Sequence, residues 1–134
     1  FKAINDRHGH AMGDRVLVDV AGVIRGVLRD SDAVARFGGE EFVVLLPESQ
    51  QARVELLAQR IQAALRQPRP DASLPHYTLS IGIACQAAED ESLDSMLQRS
   101  DRALYRAKQL GRNRVEVATP ALLSPQAPQH ICLN

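Results

Sequence analysis

No charge of either sign predominates in this chain: sixteen Lys and Arg match sixteen Asp and Glu. A general nucleic-acid or membrane surface needs a basic excess, so the balance argues against both. No apolar run approaches the length of a transmembrane helix, and neither an internal repeat nor a signal peptide is present. Cysteine is scarce. Cys85 falls in a strand-like run and Cys132 near the C-terminus, and two unpaired thiols fit a reducing cytoplasm better than a disulfide framework. The missing initiator Met implies a piece of something longer. What remains is 45% hydrophobic and 24% charged over 134 residues, which is enough for one globular domain with a sizeable core.

Periodicity predicts an alternation of helices and strands. Leu17, Val20, Ala21, Ile24, Val27 and Leu28 recur as one face of a helix over residues 13–29, with Arg15, Asp19, Arg25 and Arg29 mostly opposite. Strands are expected over Ala33–Phe37 and Glu41–Leu46, the second ended by Pro47. Val43, Val44, Leu45 and Leu46 are apolar on both faces, as in a central strand covered by helices. A helix follows over about 50–66, then a loop marked by Pro68, Pro70 and Pro75. A strand carries Tyr77, Leu79, Ile81 and Ile83. Ser92 is placed to cap a helix carrying Leu93, Met96, Leu97, Leu104 and Ala107, and Gly111 to end it. Val115 and Val117 mark a short strand. Residues 119–134 are Pro-rich and aperiodic, and read as a flexible tail beyond a domain of residues 1–118. The pattern as a whole implies a two- or three-layer α/β sandwich.

Four clusters carry candidate chemistry. The run Arg36-Phe37-Gly38-Gly39-Glu40-Glu41-Phe42 joins two apolar strands through Gly-Gly, a hairpin signal in which glycine would supply positive φ. Its adjacent carboxylates sit at an open turn, as a divalent cation and its phosphate ligands require; a plain hairpin with surface acids is the simpler reading. Lys2, Asn5 and Asp14 offer a cation for phosphate and an amide and carboxylate for a guanine edge, although Asp14 also suits a helix cap. Lys108 and Arg112 flank a helix C-terminus, where the helix dipole alone would favour them. Arg29 and Asp32 lie in a polar loop.

Taken together, FKAIND, GHAMGD, ARFGGEEF, TLSIGIA and ALYRAKQLGRNR stand in the order and spacing of one family. From Phe1 to about Val117 the chain resembles the GGDEF domain of bacterial diguanylate cyclases, in its GGEEF variant. The resemblance implies an α/β (α+β) sandwich whose central mixed, mainly antiparallel sheet is flanked by helices, like nucleotidyl cyclases and polymerase palms. It implies condensation of two GTP into cyclic di-GMP and two pyrophosphates across a homodimer, with Mg²⁺ or Mn²⁺. Glu40 would be the metal-binding carboxylate and Glu41 its catalytically needed neighbour. Gly38 and Gly39 would let the backbone approach phosphates that Lys2, Lys108 and Arg112 contact. Asn5 and Asp14 would read guanine. Arg29 and Asp32 form an RxxD pair at the place of the family's inhibitory product site. His8 and His10 are read as structural loop residues.

The family's first strand, which ends in a metal-binding Asp, would precede Phe1. Without it, apolar faces and unpaired strand edges are expected. The resemblance implies an Asp two or three residues upstream, a sensory or dimerising module in the parent protein and a cytoplasmic setting. The alternative is an inactive domain that binds GTP or cyclic di-GMP as an effector.

Overall fold

The computed structural model describes residues 1–118 and 128–133. In chain order the described elements are α1 (Lys2–His8), α2 (His10–Val27), β1 (Ala33–Arg36), β2 (Glu41–Leu45), α3 (Gln51–Leu65), β3 (Leu79–Ile83), α4 (Leu93–Gln109), β4 (Val115–Val117) and β5 (Pro128–Leu133). One sheet runs in the order β1-β2-β5-β3-β4. Its first three pairings are antiparallel and only β3–β4 is parallel, so the expected mixed, mainly antiparallel sheet is found.

Successive strand side chains alternate between the sheet faces. Phe42, Val44 and Ile131 join the larger core cluster, to which α2 contributes Val16, Val20 and Ile24 and α3 contributes Val54, Leu57 and Ile61. The other face lies under α4. There His130 Nδ1 is 2.8 Å from Ser100 Oγ. A Cβ at Gly82 would stand 2.2 Å from Ser100 O and 2.4 Å from Leu104 N, so only glycine lets the α4 backbone rest on β3. Helices on both faces make this the three-layer form of the sandwich. The α4 cap is as read from sequence, with Ser92 Oγ accepting from Ser95 N at 3.1 Å.

Three expectations need correction. The N-terminal segment is not a loop: α1 and α2 meet at Gly9, whose φ of 86° only glycine adopts readily. His8 therefore ends one helix and His10 begins the next. Asp14 lies inside α2, whose N-cap is Gly9, so it is not a helix cap; α2 ends at Val27, which leaves Arg29 outside it. Residues 128–133 of the expected tail are strand β5, hydrogen-bonded antiparallel to both β2 and β3; residues 119–127 and 134 lie outside the described residues. The gap expected in the sheet is thus filled from the C-terminal side. Ile131, fully buried, pairs with Phe42 on one side and Ile81 on the other.

The β3–α4 connection is fixed by one ion pair. Arg99 donates from Nε to Glu91 Oε2 and from Nη2 to Glu91 Oε1, each at 2.9 Å, while Ala87 N–H and Ser95 Oγ–H also donate to that carboxylate. Arg99 reaches the Cys85 carbonyl as well. The Arg99 hydrogen bonds hold the Glu91 carboxyl at about 2, below its ordinary 4.5, against the opposing effect of burial.

Ile131→Ala is expected to cost about 2–5 kcal/mol, the usual range for emptying a fully buried aliphatic position; urea unfolding of the pair of proteins measures it. A free β5 would leave stability nearly unchanged. Because the Glu91 pKa is depressed in the folded state, its stabilisation is fully present above 4.5 and is lost as pH falls toward about 2. Glu91→Gln should therefore melt lower than wild type at neutral pH, with the difference closing over that window in thermal melts.

Candidate active site

The turn between β1 and β2 is closed by Phe37 N–H donating to Glu41 O at 2.8 Å. The glycines with left-handed φ are Gly9 and Gly111, not Gly38 or Gly39, so the expected role for the Gly-Gly pair is corrected. What they provide is bare backbone: a Cβ at Gly39 would meet nothing within 4 Å. Such open space suits close approach by a ligand.

Beside the turn lies a cavity of about 230 Å³ lined by Phe1, Lys2, Ala3, Glu40, Lys108, Arg112, Cys132 and Leu133. It brings together four of the expected site residues from three distant stretches of chain. Lys2 comes from the first turn of α1. Lys108 and Arg112 come from the end of α4, which closes with Gly111 N–H on Lys108 O at 3.3 Å and Arg112 N–H on Ala107 O at 2.9 Å. This is the Schellman arrangement, with Gly111 at φ 117°. It turns the chain back so that Arg112 lies beside Lys108. Arg112 and Asn113 themselves have φ of 61° and 47°, an uncommon conformation for residues other than glycine.

Asn5 and Asp14 are brought together by a second close approach. Asn5 Oδ1 lies 1.8 Å from where a Cβ at Gly13 would be, so the amide sits directly on the α2 backbone one residue before Asp14. Asp14 lines a groove of about 480 Å³ with Leu17, Val18, Ala21, Arg25, Val34, Arg36 and Phe42. Phe1 joins the two regions: it lines the cation-rich cavity, and its Cζ would be 3.4 Å from the same Gly13 Cβ.

Glu41 opens β2 opposite Cys132. Cys132 Sγ stands 3.9 Å from Glu40 Oε1; burial pushes its thiol pKa up, against Lys108, which lowers it. His130 packs edge-on against Phe37, with ring centroids 5.9 Å apart; burial pushes its pKa down. Arg29 and Asp32 lie apart from these groups in their own cluster. The Asp32 side chain is fully buried and its Oδ2 accepts from Arg53 Nη2 at 2.8 Å and from Arg29 N–H at 3.0 Å. Burial works to raise the Asp32 pKa, but the bonds and charges of Arg53 and Arg29 hold it below the ordinary value. The Arg29 guanidinium, half exposed, donates to Pro47 O and Ser49 Oγ.

Gly13, Arg36, Arg53 and Cys132 are neighbours that the sequence reading did not assign. A glycine four residues into a helix was the available signal for Gly13. No spacing rule foretold Arg53 or Cys132, which arrive through tertiary packing. Among the described residues no group of three or more His, Cys, Asp or Glu could hold a metal ion.

Comparison with known proteins agrees with this fold. Residues 1–114 match the family model described as diguanylate cyclase, GGDEF domain. The chain is 41% identical over 120 residues to diguanylate cyclase A of Treponema denticola, covering 88% of this chain and 32% of that protein. It is similar in structure to the GGDEF domain of YfiN (TpbB) from Pseudomonas aeruginosa, with TM-score 0.81, 43% identity, and coverage of 89% of this chain and 76% of that one. It is also similar to the GGDEF domain of DgcB from Caulobacter crescentus in complex with c-di-GMP, at TM-score 0.79 and 35% identity, covering 89% and 72%. The chain belongs to the GGDEF family. It spans about a third or less of the length of the first curated relatives it matches.

Gly13→Ala should separate binding from stability. The added methyl displaces only the flexible end of Asn5, and alanine is the better helix former by about 1 kcal/mol. The melting temperature should hold or rise while guanine-nucleotide affinity falls about 10-fold, the loss of roughly one hydrogen bond. Isothermal titration with GTP beside thermal melts checks both; unchanged affinity would show that Asn5 does not read the base.

Proposed function

We propose that this domain condenses two molecules of GTP into cyclic di-GMP and two pyrophosphates. The observation that carries the reading is the cation-rich cavity itself. Lys2, Lys108 and Arg112 surround one carboxylate, Glu40, beside a bare turn, in a chain of the GGDEF family. Three cations that form no ion pair among the described residues suit a triphosphate.

In this reading Asn5 and Asp14 select guanine, because a carboxylate accepts from the adjacent N1–H and N2–H₂ donors that adenine lacks. Lys2, Lys108 and Arg112 hold the β- and γ-phosphates, which keeps the α-phosphorus fixed for in-line attack. Gly38 and Gly39 let phosphate oxygens come close to the backbone. Glu40 would hold a divalent cation, Mg²⁺ or Mn²⁺, carried with the nucleotide. The donor set fits, since Mg²⁺ is usually bound by one or two carboxylates together with substrate phosphates. Such an ion neutralises phosphate charge and lowers the pKa of the attacking hydroxyl. Glu41, its neighbour at the start of β2, is the second carboxylate the reaction needs.

One domain positions one nucleotide, so two copies must face each other. The 3′-oxygen of each GTP bonds to the α-phosphorus of the other, the bond to pyrophosphate breaks, and each hydroxyl releases its proton to solvent. Two such steps close the ring and release two pyrophosphates. Arg29 and Asp32, with Arg53 bracing the carboxylate, are assigned to product inhibition. The partners are GTP, cyclic di-GMP, a second copy of the chain and a regulatory module in the parent protein, in a cytoplasmic setting. Neither nucleic acid nor membrane is a partner of this domain.

The protein incubated with GTP and Mg²⁺ should yield cyclic di-GMP by mass spectrometry. Glu40→Ala should lower the rate by at least about 100-fold, the loss typical of removing one preorganised charge at the reacting centre. A folded, dimeric wild type that binds cyclic di-GMP yet makes none would instead establish an effector.

A further inference from the structure

We infer that Arg36 is a positioning residue that holds the Gly38-Gly39-Glu40 turn in its working shape, an inference that rests on the cyclase reading above. Neither glycine of the turn is in the left-handed region, so backbone preference does not fix it. Hydrogen bonds do. Arg36 donates from Nε to Gly38 O at 3.1 Å and from Nη2 to Gly39 O at 2.8 Å. The next carbonyl, Glu40 O, accepts from Leu133 N–H at 3.2 Å, and Glu41 O accepts from Phe37 N–H. Four successive carbonyls are therefore tied down, two of them by one side chain.

The chemistry of that choice is specific. Arg36 makes no ion pair among the described residues; its charge is directed at two carbonyl oxygens. Charge-assisted bonds are the stronger kind, and the planar guanidinium fork presents its donors to two acceptors in a fixed geometry that a lysine ammonium lacks. Carbonyl oxygens left facing the cavity would repel phosphate. Bound to Arg36, they are held by a cation, and Glu40 follows directly from them in the chain. Arg36 also lines the groove that holds Asp14, with Phe42, its cross-strand partner, beside it. One side chain thus belongs to the wall of the base groove and to the frame of the metal-binding turn. Its effect on catalysis is through Glu40 and not through contact with the reacting atoms.

The test compares Arg36→Lys and Arg36→Gln with wild type. Cyclase rate is measured against Mg²⁺ concentration, and Mn²⁺ binding is measured by paramagnetic resonance with a non-hydrolysable GTP analogue present. Both variants should need more Mg²⁺ for half-maximal rate, bind Mn²⁺ more weakly, and lose about 10–100-fold in kcat, as when a group orienting a metal ligand is removed. Arg36→Lys should rescue little, because it keeps the charge but not the fork. Thermal melts should stay close to wild type. An active wild type whose variants keep its kcat and metal requirement overturns the inference while leaving the cyclase reading intact. A large fall in melting temperature with the metal requirement unmoved also overturns it and assigns Arg36 to stability. A wild type that neither makes product nor binds the analogue overturns the cyclase reading, and the inference falls with it.

Discussion

The fold depends on what stands between β2 and β3. Both strands are buried, and each presents a row of N–H and C=O groups that must find partners. β5 satisfies both rows at once, and Gln129 adds a buried bond from Nε2 to Val54 O at 3.0 Å, which ties the strand to α3. The same strand reaches the site: Leu133 N–H fixes Glu40 O, and Cys132 lies opposite Glu41. Sheet integrity and turn geometry are therefore one problem. Residues 41–45 pair with residues 128–132, so the chain must close a long loop before the middle of its sheet exists. Contacts of such sequence separation slow folding, because the entropy of closure precedes their reward.

Around that sheet the site is assembled from places where backbone meets backbone or a helix stops. Gly82 lets α4 lie on β3, which sets where the end of α4 arrives; the Schellman turn then brings Lys108 and Arg112 side by side. Gly13 does the same for Asn5 on α2. Lys108 enjoys the helix C-terminus, where a cation is favoured, but Lys2 does not. It stands in the first turn of α1, which holds no acidic residue to offset it. Helix electrostatics would not place a lysine there, so an external anion explains it better than stability does.

Most of the architecture was legible because each element carried a local signal. Ser92 and Gly111 bounded α4, the Val43–Leu46 run marked a strand covered on both faces, and the prolines after Arg66 marked a loop. Two of the expectations that failed have a common physical origin. β5 is central and buried on both faces, so it shows no alternation, and Pro128 at its first residue imitates a loop while costing the ladder little. At the other end, Gly9 splits what would be one helix into two, and the segment before it has too few apolar residues for periodicity. The site residues were legible as a set because resemblance supplied their grouping. Their partners were not: Gly13 and Arg53 act through distances that only tertiary structure sets, and Arg36 through the shape of a turn that no spacing rule gives.

The charges of the cavity are notable for what they do not do. Lys2, Lys108, Arg112 and Glu40 share one small space, yet among the described residues none forms an ion pair. Elsewhere in the molecule opposite charges meet readily, as Arg69 does with Asp19 at 2.8 Å and Arg99 with Glu91 at 2.9 Å. The cavity groups are kept apart by different anchors: α1 for Lys2, the end of α4 for Lys108 and Arg112, the braced turn for Glu40. Had Glu40 closed on a lysine, those two charges would screen each other, and a ligand would first have to break that pair. In the proposed reading, the cations held separate attract phosphate and the carboxylate stays available for the ion that phosphate brings. Preorganisation of this kind lowers the reorganisation needed when the nucleotide binds and reacts.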